Sequence, residues 1–253
     1  MNAKKRVISL EVTSQPYFKF LEDSINLALG FVSSYVCVAN VHMLVEASQD
    51  AGFSKIVNGA DLVTPDGVPL AKSIKFFYGV SQDRVAGMDL LPDLLKSSEE
   101  RGIKVFFFGG TDSMLDLTRK FCAKVYPSLD VVGMISPPFR AISYKEEESY
   151  IRKINSSGAG FVFVALGCPK QEKWMAAMKG RINACMIGIG GALPVMIGMQ
   201  KRAPKWMQEA GLEWLFRLSQ EPKRLFSRYF ITNSVFLFLF LREWFKIKVL
   251  RYN

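Results

Sequence analysis

One aspartate stands where a reaction could use it. The segment 59–72 reads GADLVTPDGVPLAK and places Asp66 in a Pro-Asp-Gly turn directly after a short apolar run. Proline, aspartate and glycine in this order form a stable turn, so Asp66 could serve the turn alone. The run before it reads as a strand, however, and a carboxylate at a strand end is well placed to act as a general base. Both interpretations stay open at this point.

A second segment, ALGCPKQEKW at positions 165–174, combines several groups that bind anions or polar ligands. Pro169 can begin a helix, and the N-terminus of a helix attracts negative charge. Lys170 could reach an anion held there. Gln171 and Glu172 would offer an amide and a carboxylate at the same rim. An exposed helix surface would account for the lysine and the glutamate, but less easily for the whole set.

Two glycine pairs also follow apolar runs. Gly109 and Gly110 end FFFGG, where glycines followed by a helix let backbone N–H groups approach a phosphate. Any tight turn between a strand and a helix uses the same residues. Gly190 and Gly191 lie in IGIGGALP, which differs from a dinucleotide-binding fingerprint because Leu193 stands in the place of the third glycine. A nicotinamide site is therefore discounted, and no P-loop motif occurs.

A metal site has little support from the sequence. His42 is the only histidine, and no cysteine or carboxylate cluster lies at ligand spacing from it. We expect His42 on a helix face or at the rim of a site, without a catalytic role. No metal and no cofactor is predicted.

The elements that must position these residues alternate along the chain. The apolar runs YVCVAN, IKVFFFGG, LDVVGMI, GFVFVALG and ACMIGIGG are each followed by helical spacing. Continuous apolar strands are typical of a parallel sheet covered on both faces, which predicts a doubly wound α/β fold. Ligands of such folds bind at the carboxyl ends of the strands. Asn40 and the glycine pairs fall at those ends.

Length, composition and cysteine usage limit the protein class. The 253 residues are 49% hydrophobic and 22% charged, which excludes a disordered chain and a protein with many membrane spans. Four cysteines form no C-x-x-C pair and lie in or beside apolar runs, as in a reducing cytoplasm. The N-terminal apolar stretch is too short and interrupted for a signal peptide, so no export is expected.

The composition changes near residue 200, which predicts a catalytic domain over residues 1–200 and a helical appendage over 201–253. The appendage carries eleven Lys and Arg against four Glu, or +7 of the total charge of +10. Arg217, Arg224 and Arg228 would share one face of a continuous helix, unless Pro222 breaks it. The face could be merely solvated, or it could hold a pyrophosphate at a membrane, because guanidinium groups grip phosphate oxygens.

The appendage also contains the run VFLFLFL, Val235–Leu241, flanked by basic and aromatic residues that include Arg242, Lys246, Lys248, Arg251 and Tyr252. Seven residues are too few to cross a bilayer, which needs about 20. The run could lie in the headgroup region of an anionic membrane. It could equally pack on the domain or in an oligomer interface. Both alternatives stay open.

Taken together, the motifs resemble the WecG/TagA/CpsF glycosyltransferase family. The resemblance covers roughly residues 35–230 and rests on VAN, ADLVTPDGVPL, RVAGMDLLPDL, FFFGG, LGCPKQEKW, GIGGALPVMIG, KRAPKWMQEAGLEWLFRL and EPKRLFSRY, in family order. It implies an inverting, metal-independent transfer from a UDP-sugar to a saccharide on undecaprenyl diphosphate, at the cytoplasmic face of a bacterial inner membrane. It also implies a Rossmann-like parallel sheet flanked by helices, with a C-terminal helical appendage that closes the site and associates with the membrane.

The resemblance also implies roles for particular residues. Asp66 would be the general base, and Asn40 would lie near the sugar. The remaining donor-binding residues would be Arg84, Gly109, Gly110, Pro169, Lys170, Gln171, Glu172, Gly190 and Gly191. Arg217, Arg224 and Arg228 would hold the diphosphate of the lipid-linked acceptor.

The chain departs from the family pattern at three places. Val38 stands where many relatives have threonine, Leu193-Pro194 where many have Phe-Asp, and Ser227 where a second arginine is common. These departures leave the donor sugar open and keep a second hypothesis, a family member that binds a UDP-sugar or assembles with other enzymes without turnover. Nucleic-acid binding is not expected, since the charge lies beside an apolar segment without a recognised motif. A homo-oligomer is possible.

Overall fold

The computed structural model describes the backbone of residues 3–250 and the side chains of residues 3–247. The strands are β1 (Lys4–Val7), β2 (Leu10–Thr13), β3 (Ser34–Ala39), β4 (Leu62–Pro65), β5 (Val105–Gly109), β6 (Val131–Ile135), β7 (Phe161–Ala165) and β8 (Cys185–Gly188). The helices are α1 (Tyr17–Leu29), α2 (Val41–Gln49), α3 (Ala51–Asn58), α4 (Val68–Tyr78), α5 (Gly87–Arg101), α6 (Asp112–Val125), α7 (Tyr144–Ser157), α8 (Lys170–Met178), α9 (Ala192–Met196), α10 (Lys205–Ala210), α11 (Glu213–Gln220) and α12 (Pro222–Leu250).

Six strands form one sheet in the order β4-β3-β8-β7-β5-β6, and every neighbouring pair is parallel. This confirms the predicted α/β class and its parallel sheet flanked by helices. Strands β1 and β2 pair as a separate antiparallel hairpin, which was not predicted because each has only four residues. All carboxyl ends of the main sheet therefore meet at one edge, where the candidate residues lie.

Helices cover both faces of the sheet, as the continuous apolar strands predict. Phe106 and Phe108 point to the face covered by α2, α3, α4, α7 and α8, where the Phe108 ring stacks on Trp174 at 4.2 Å. Phe107 points to the opposite face with Phe161 and Phe163, beneath α1, α5 and α6. Burying one such phenyl ring stabilises the fold by about 1.5–3 kcal/mol, so the two layers hold the strand ends rigidly.

The chain beyond residue 200, which we call the appendage, forms three successive helices between Lys205 and Leu250 and packs against the sheet domain. Its last helix, α12, lies on α2 and α4, with Phe240 stacked on Phe77 at a centroid distance of 5.0 Å. Leu239 is buried in that contact. Part of the VFLFLFL run thus packs on the domain, which was one of the two alternatives.

The opposite side of α12 is apolar and exposed. Its exposed large side chains are Phe226, Phe230, Ile231, Leu237, Phe238, Leu241 and Phe245. Within the described residues, the segment Pro222–Ile247 is long and apolar enough to cross a membrane by length and composition alone. The helix is therefore much longer than the seven-residue run suggested. The side chains of Lys248, Arg251 and Tyr252 lie outside the described residues.

Candidate active site

Four neighbouring strands, β4, β3, β8 and β7, end at a cavity of about 580 Å³ that the appendage covers from the other side. Ala39 pairs with Pro65 in the β3–β4 register, so the residues that follow them, Asn40 and Asp66, lie side by side. Of the residues predicted for the site, those that line this cavity are Asn40, Asp66, Gln171, Gly190, Gly191, Arg217, Arg224 and Arg228.

Backbone hydrogen bonds fix Asp66 at the cavity rim. Its N–H donates to the carbonyl of Ala39 at 2.7 Å, which ties the turn after β4 to the end of β3. The Asn40 Oδ1 accepts from the N–H of Met43 at 3.1 Å as the N-cap of α2, and the Asn40 amide favours the charged form of the neighbouring Asp66. Because capping orients the Asn40 side chain, the start of α2 and the Asp66 turn meet at the same strand ends.

The surroundings of Asp66 favour its proton. Burial and, to a smaller extent, the neighbouring charge of Glu213 raise the pKa of the Asp66 carboxyl, whereas Arg217, Arg84 and the Asn40 amide lower it, and the balance is a pKa of about 7. A carboxyl group with this pKa is half ionised at neutral pH. It can accept a proton more readily than an ordinary aspartate and still be available as a base.

Gln171 forms the cavity floor beside β8. Its Oε1 accepts from the N–H of Gly167 at 3.2 Å, and its Nε2 donates to Glu172 Oε1 at 2.7 Å. The structure places the Glu172 carboxyl group beneath the rim, fully buried, instead of at the rim beside Gln171. Burial raises the pKa of Glu172, against the hydrogen bond from Gln171 that lowers it. Glu172 is thus placed to orient the glutamine.

The three tail arginines reach the cavity from two helices. The helix is interrupted at Glu221, so the predicted continuous helix does not form. Arg217 lies on α11, whereas Arg224 and Arg228 lie on α12. Arg217 packs so closely over Gly191 that a Cβ there would lie 2.4 Å from its Nη2. Guanidinium groups converging on one cavity can bind the oxygens of a diphosphate.

The other predicted donor-binding residues do not line the cavity. Arg84 is held by the carboxylates of Asp89 and Glu213. Gly109 ends β5, which lies beyond β7 in the sheet, and Gly110 follows it. Lys170 begins α8, and Pro169 is its N-cap. Their contact with a ligand stays a prediction.

Several cavity residues were not assigned a role from the sequence. Glu213, Trp214, Tyr229 and Asn233 all belong to the appendage, and the first two lie within the GLEWLFRL motif. His42 also lines the cavity, in agreement with the expected rim position. Burial and the charge of Arg228 lower the His42 pKa, while Glu46 raises it. Among the described residues, no group of three His, Cys, Asp or Glu side chains could hold a metal ion.

Comparison with known protein families gives one match that spans nearly all of the chain. The model of the glycosyl transferase WecG/TagA/CpsF family matches residues 6–249. The match includes the Asp66 turn, the floor at Gln171 and all three cavity arginines, so both walls of the cavity lie within the family region.

Proposed function

Because the chain belongs to the WecG/TagA/CpsF family of glycosyltransferases, we propose that it transfers a sugar from a UDP-sugar to a saccharide carried on a polyprenyl diphosphate. Family members act in association with membranes in cell-surface polysaccharide synthesis. We place this reaction at the cytoplasmic face of the bacterial inner membrane, with inversion at the anomeric carbon and no metal ion, as the family resemblance implies.

The observation that carries the proposal is the environment of Asp66. Its carboxyl group lies at a strand end, in a cavity with three arginines, and has a pKa of about 7. As the acceptor hydroxyl attacks the anomeric carbon, the new C–O bond forms and the bond to the diphosphate oxygen breaks. The hydroxyl proton moves to Asp66, and the bonding electron pair leaves with UDP. Attack from the face opposite UDP inverts the configuration.

The two walls of the cavity suggest how the two substrates are divided. The floor at Gln171, Gly190 and Gly191 belongs to the strand ends, where nucleotides bind in folds of this class. Arg224 and Arg228 stand on the membrane-facing helix, so we assign them to the lipid diphosphate. Arg217, between both walls, could stabilise the charge that develops on the leaving UDP.

The proposal is tested by measuring UDP release. The substrates are a panel of UDP-sugars and bacterial lipid-linked diphosphosaccharides in vesicles. We expect release only when both substrates are present, and a loss of at least about 100-fold in kcat for Asp66→Asn, since a general base contributes roughly 10²–10⁴-fold. Asp116→Asn is the matched control, because Asp116 is an exposed aspartate on α6.

Each other result points elsewhere. Full lipid-dependent release by Asp66→Asn would return Asp66 to a turn-forming role. An absence of release with every substrate pair would favour the binding or scaffolding member of the family that Val38 and Leu193 leave open.

A further inference from the structure

The appendage docks directly on the turn that carries Asp66. Gly211, between α10 and α11, has a φ of +75° and packs so tightly that a Cβ there would lie 3.0 Å from the Cβ of Val68. Val68 follows the Pro-Asp-Gly turn and begins α4. Glycine is needed at this contact both for its backbone conformation and for the close approach. The next residues, at the start of α11, are thereby brought over Asp66.

A chain of four charged side chains joins the appendage to the sheet domain at the same place. Arg202 of the appendage pairs with Asp89, and Asp89 pairs with Arg84 at 2.7 Å. Arg84 in turn pairs with Glu213 of the appendage, and both side chains of this last pair are only 19% exposed. Both ends of the chain belong to the appendage and its middle belongs to the domain. Charge pairs that are shielded from water in this way are stronger than surface pairs.

Glu213 is the carboxylate whose charge acts most strongly on Asp66. Arg217 on α11 and Arg84 before α5 bring positive charge, and the Asn40 amide at the N-cap of α2 also favours the charged form of Asp66. Glu213 lines the same cavity as Asp66. A second carboxylate disfavours ionisation of the first, whereas the two arginines favour it. The pair with Arg84 fixes where the Glu213 charge lies.

We propose that Glu213 is a positioning residue: held by Arg84 where the appendage meets the Asp66 turn, it places a second carboxylate at the cavity beside the proposed general base. The inference rests on the proposed transfer reaction for its purpose, but its physical content concerns only these side chains.

The test compares Glu213→Gln, which removes the charge, with Glu213→Asp, which keeps it. The readout is the pKa of Asp66, followed by ¹³C NMR of labelled aspartate carboxyl groups, with the signal assigned by its absence in Asp66→Asn. We expect Glu213→Gln to lower the Asp66 pKa by about one unit or more. Glu213→Asp should leave it close to 7.

Arg202→Gln is the matched control for docking, because it breaks the far end of the ion-pair chain without touching the charges that face Asp66. We expect it to leave most of the Asp66 pKa elevation in place. If Arg202→Gln and Glu213→Gln lowered the Asp66 pKa equally, the proposal would be overturned, since burial by the appendage would then be the cause of the raised pKa. An equal fall in Glu213→Gln and Glu213→Asp would also overturn it, since the charge would not matter.

Turnover separates this inference from the proposed function. A base of lower pKa is ionised at lower pH, so the acid limb of kcat for Glu213→Gln should move to lower pH by the same amount as the NMR titration. A purely structural role would reduce kcat without moving the limb. If no substrate pair reacts, the proposed function fails, but the NMR titrations still decide the role of Glu213.

Discussion

At the scale of single residues, Glu172 shows how a buried carboxyl group supports a ligand-facing side chain. Its Oε1 accepts the Gln171 amide, while its buried Oε2 has no hydrogen-bond partner among the described residues. Burial raises the Glu172 pKa, so the folded chain holds this proton more tightly than the unfolded chain does. Stability from this group is present at low pH and is lost as pH rises above the ordinary pKa of glutamate.

We therefore predict opposite results for two substitutions of Glu172. Glu172→Gln keeps an acceptor for Gln171 and removes the buried charge, so activity should stay within about twofold and the loss of stability with rising pH should diminish. Glu172→Leu leaves the Gln171 amide unpaired, at a cost of about 1–3 kcal/mol, and should raise KM for the donor more than it lowers kcat. Thermal unfolding at several pH values and steady-state kinetics measure both effects.

Equal damage from the two variants would contradict this account, because it would show that the charge of Glu172 is itself required. Gln171→Ala is the reference variant. If Glu172→Leu raises KM through Gln171, combining the two substitutions should not raise KM above that of Gln171→Ala alone.

The residue scale also shows what the sequence could predict. Asn40 and Asp66 each follow an apolar strand directly, so the strand pattern placed them at one edge, and the register made them neighbours. The burial of Glu172 depends on the rotation of α8 against the sheet, which the local pattern does not determine. The pair between Arg84 and Glu213 joins residues 129 positions apart, and no local signal reports such a contact.

At the scale of elements, α12 divides one apolar run between two environments. Successive residues of a helix differ by about 100° in direction, so a continuous run cannot face one side only. Leu239 and Phe240 turn toward α4, while Leu237, Phe238 and Leu241 turn outward. The sequence allowed packing and membrane contact as alternatives. The helix has one face packed against the domain and a second apolar face that is exposed.

This division predicts different results for two neighbouring phenylalanines. Phe240→Ala removes a ring that packs 5.0 Å from Phe77 and 5.2 Å from Phe76, and should destabilise the docked helix by about 1–3 kcal/mol, less than a fully buried ring. Phe238 is 64% exposed, so Phe238→Ala should leave the unfolding temperature unchanged and weaken binding to anionic vesicles. Thermal unfolding and vesicle co-sedimentation distinguish the two.

If both variants lost stability equally, the outward face of α12 would be covered in solution, as it would be in an oligomer. Analytical ultracentrifugation of the wild type would then identify that state.

At the scale of the whole molecule, the exposed apolar face and two of the arginines proposed to bind the acceptor belong to one helix, α12. Arg224 and Arg228 line the cavity from α12, and the same helix carries the exposed apolar face. A lipid diphosphate in the headgroup region would therefore meet these arginines when the helix lies on the bilayer. When the protein and the lipid-linked acceptor are both held at the membrane surface, the effective concentration of the acceptor at the cavity is higher than in solution.

We predict that this arrangement matters only for acceptors that reside in a membrane. The double variant Phe238→Ala, Leu241→Ala should lower kcat/KM at least about tenfold for an acceptor embedded in vesicles, since about 1.4 kcal/mol of lost apolar contact corresponds to a factor of ten. The same variant should turn over a short-chain, water-soluble acceptor at the wild-type rate, because neither residue lines the cavity. Arg228→Gln should impair turnover of both acceptors, since we assign Arg228 to the diphosphate that both carry. A lower kcat/KM of the double variant with the soluble acceptor would show that the outer face of α12 shapes the cavity itself. Equal kcat/KM of the double variant and the wild type with the embedded acceptor would show that membrane contact is made elsewhere on the protein.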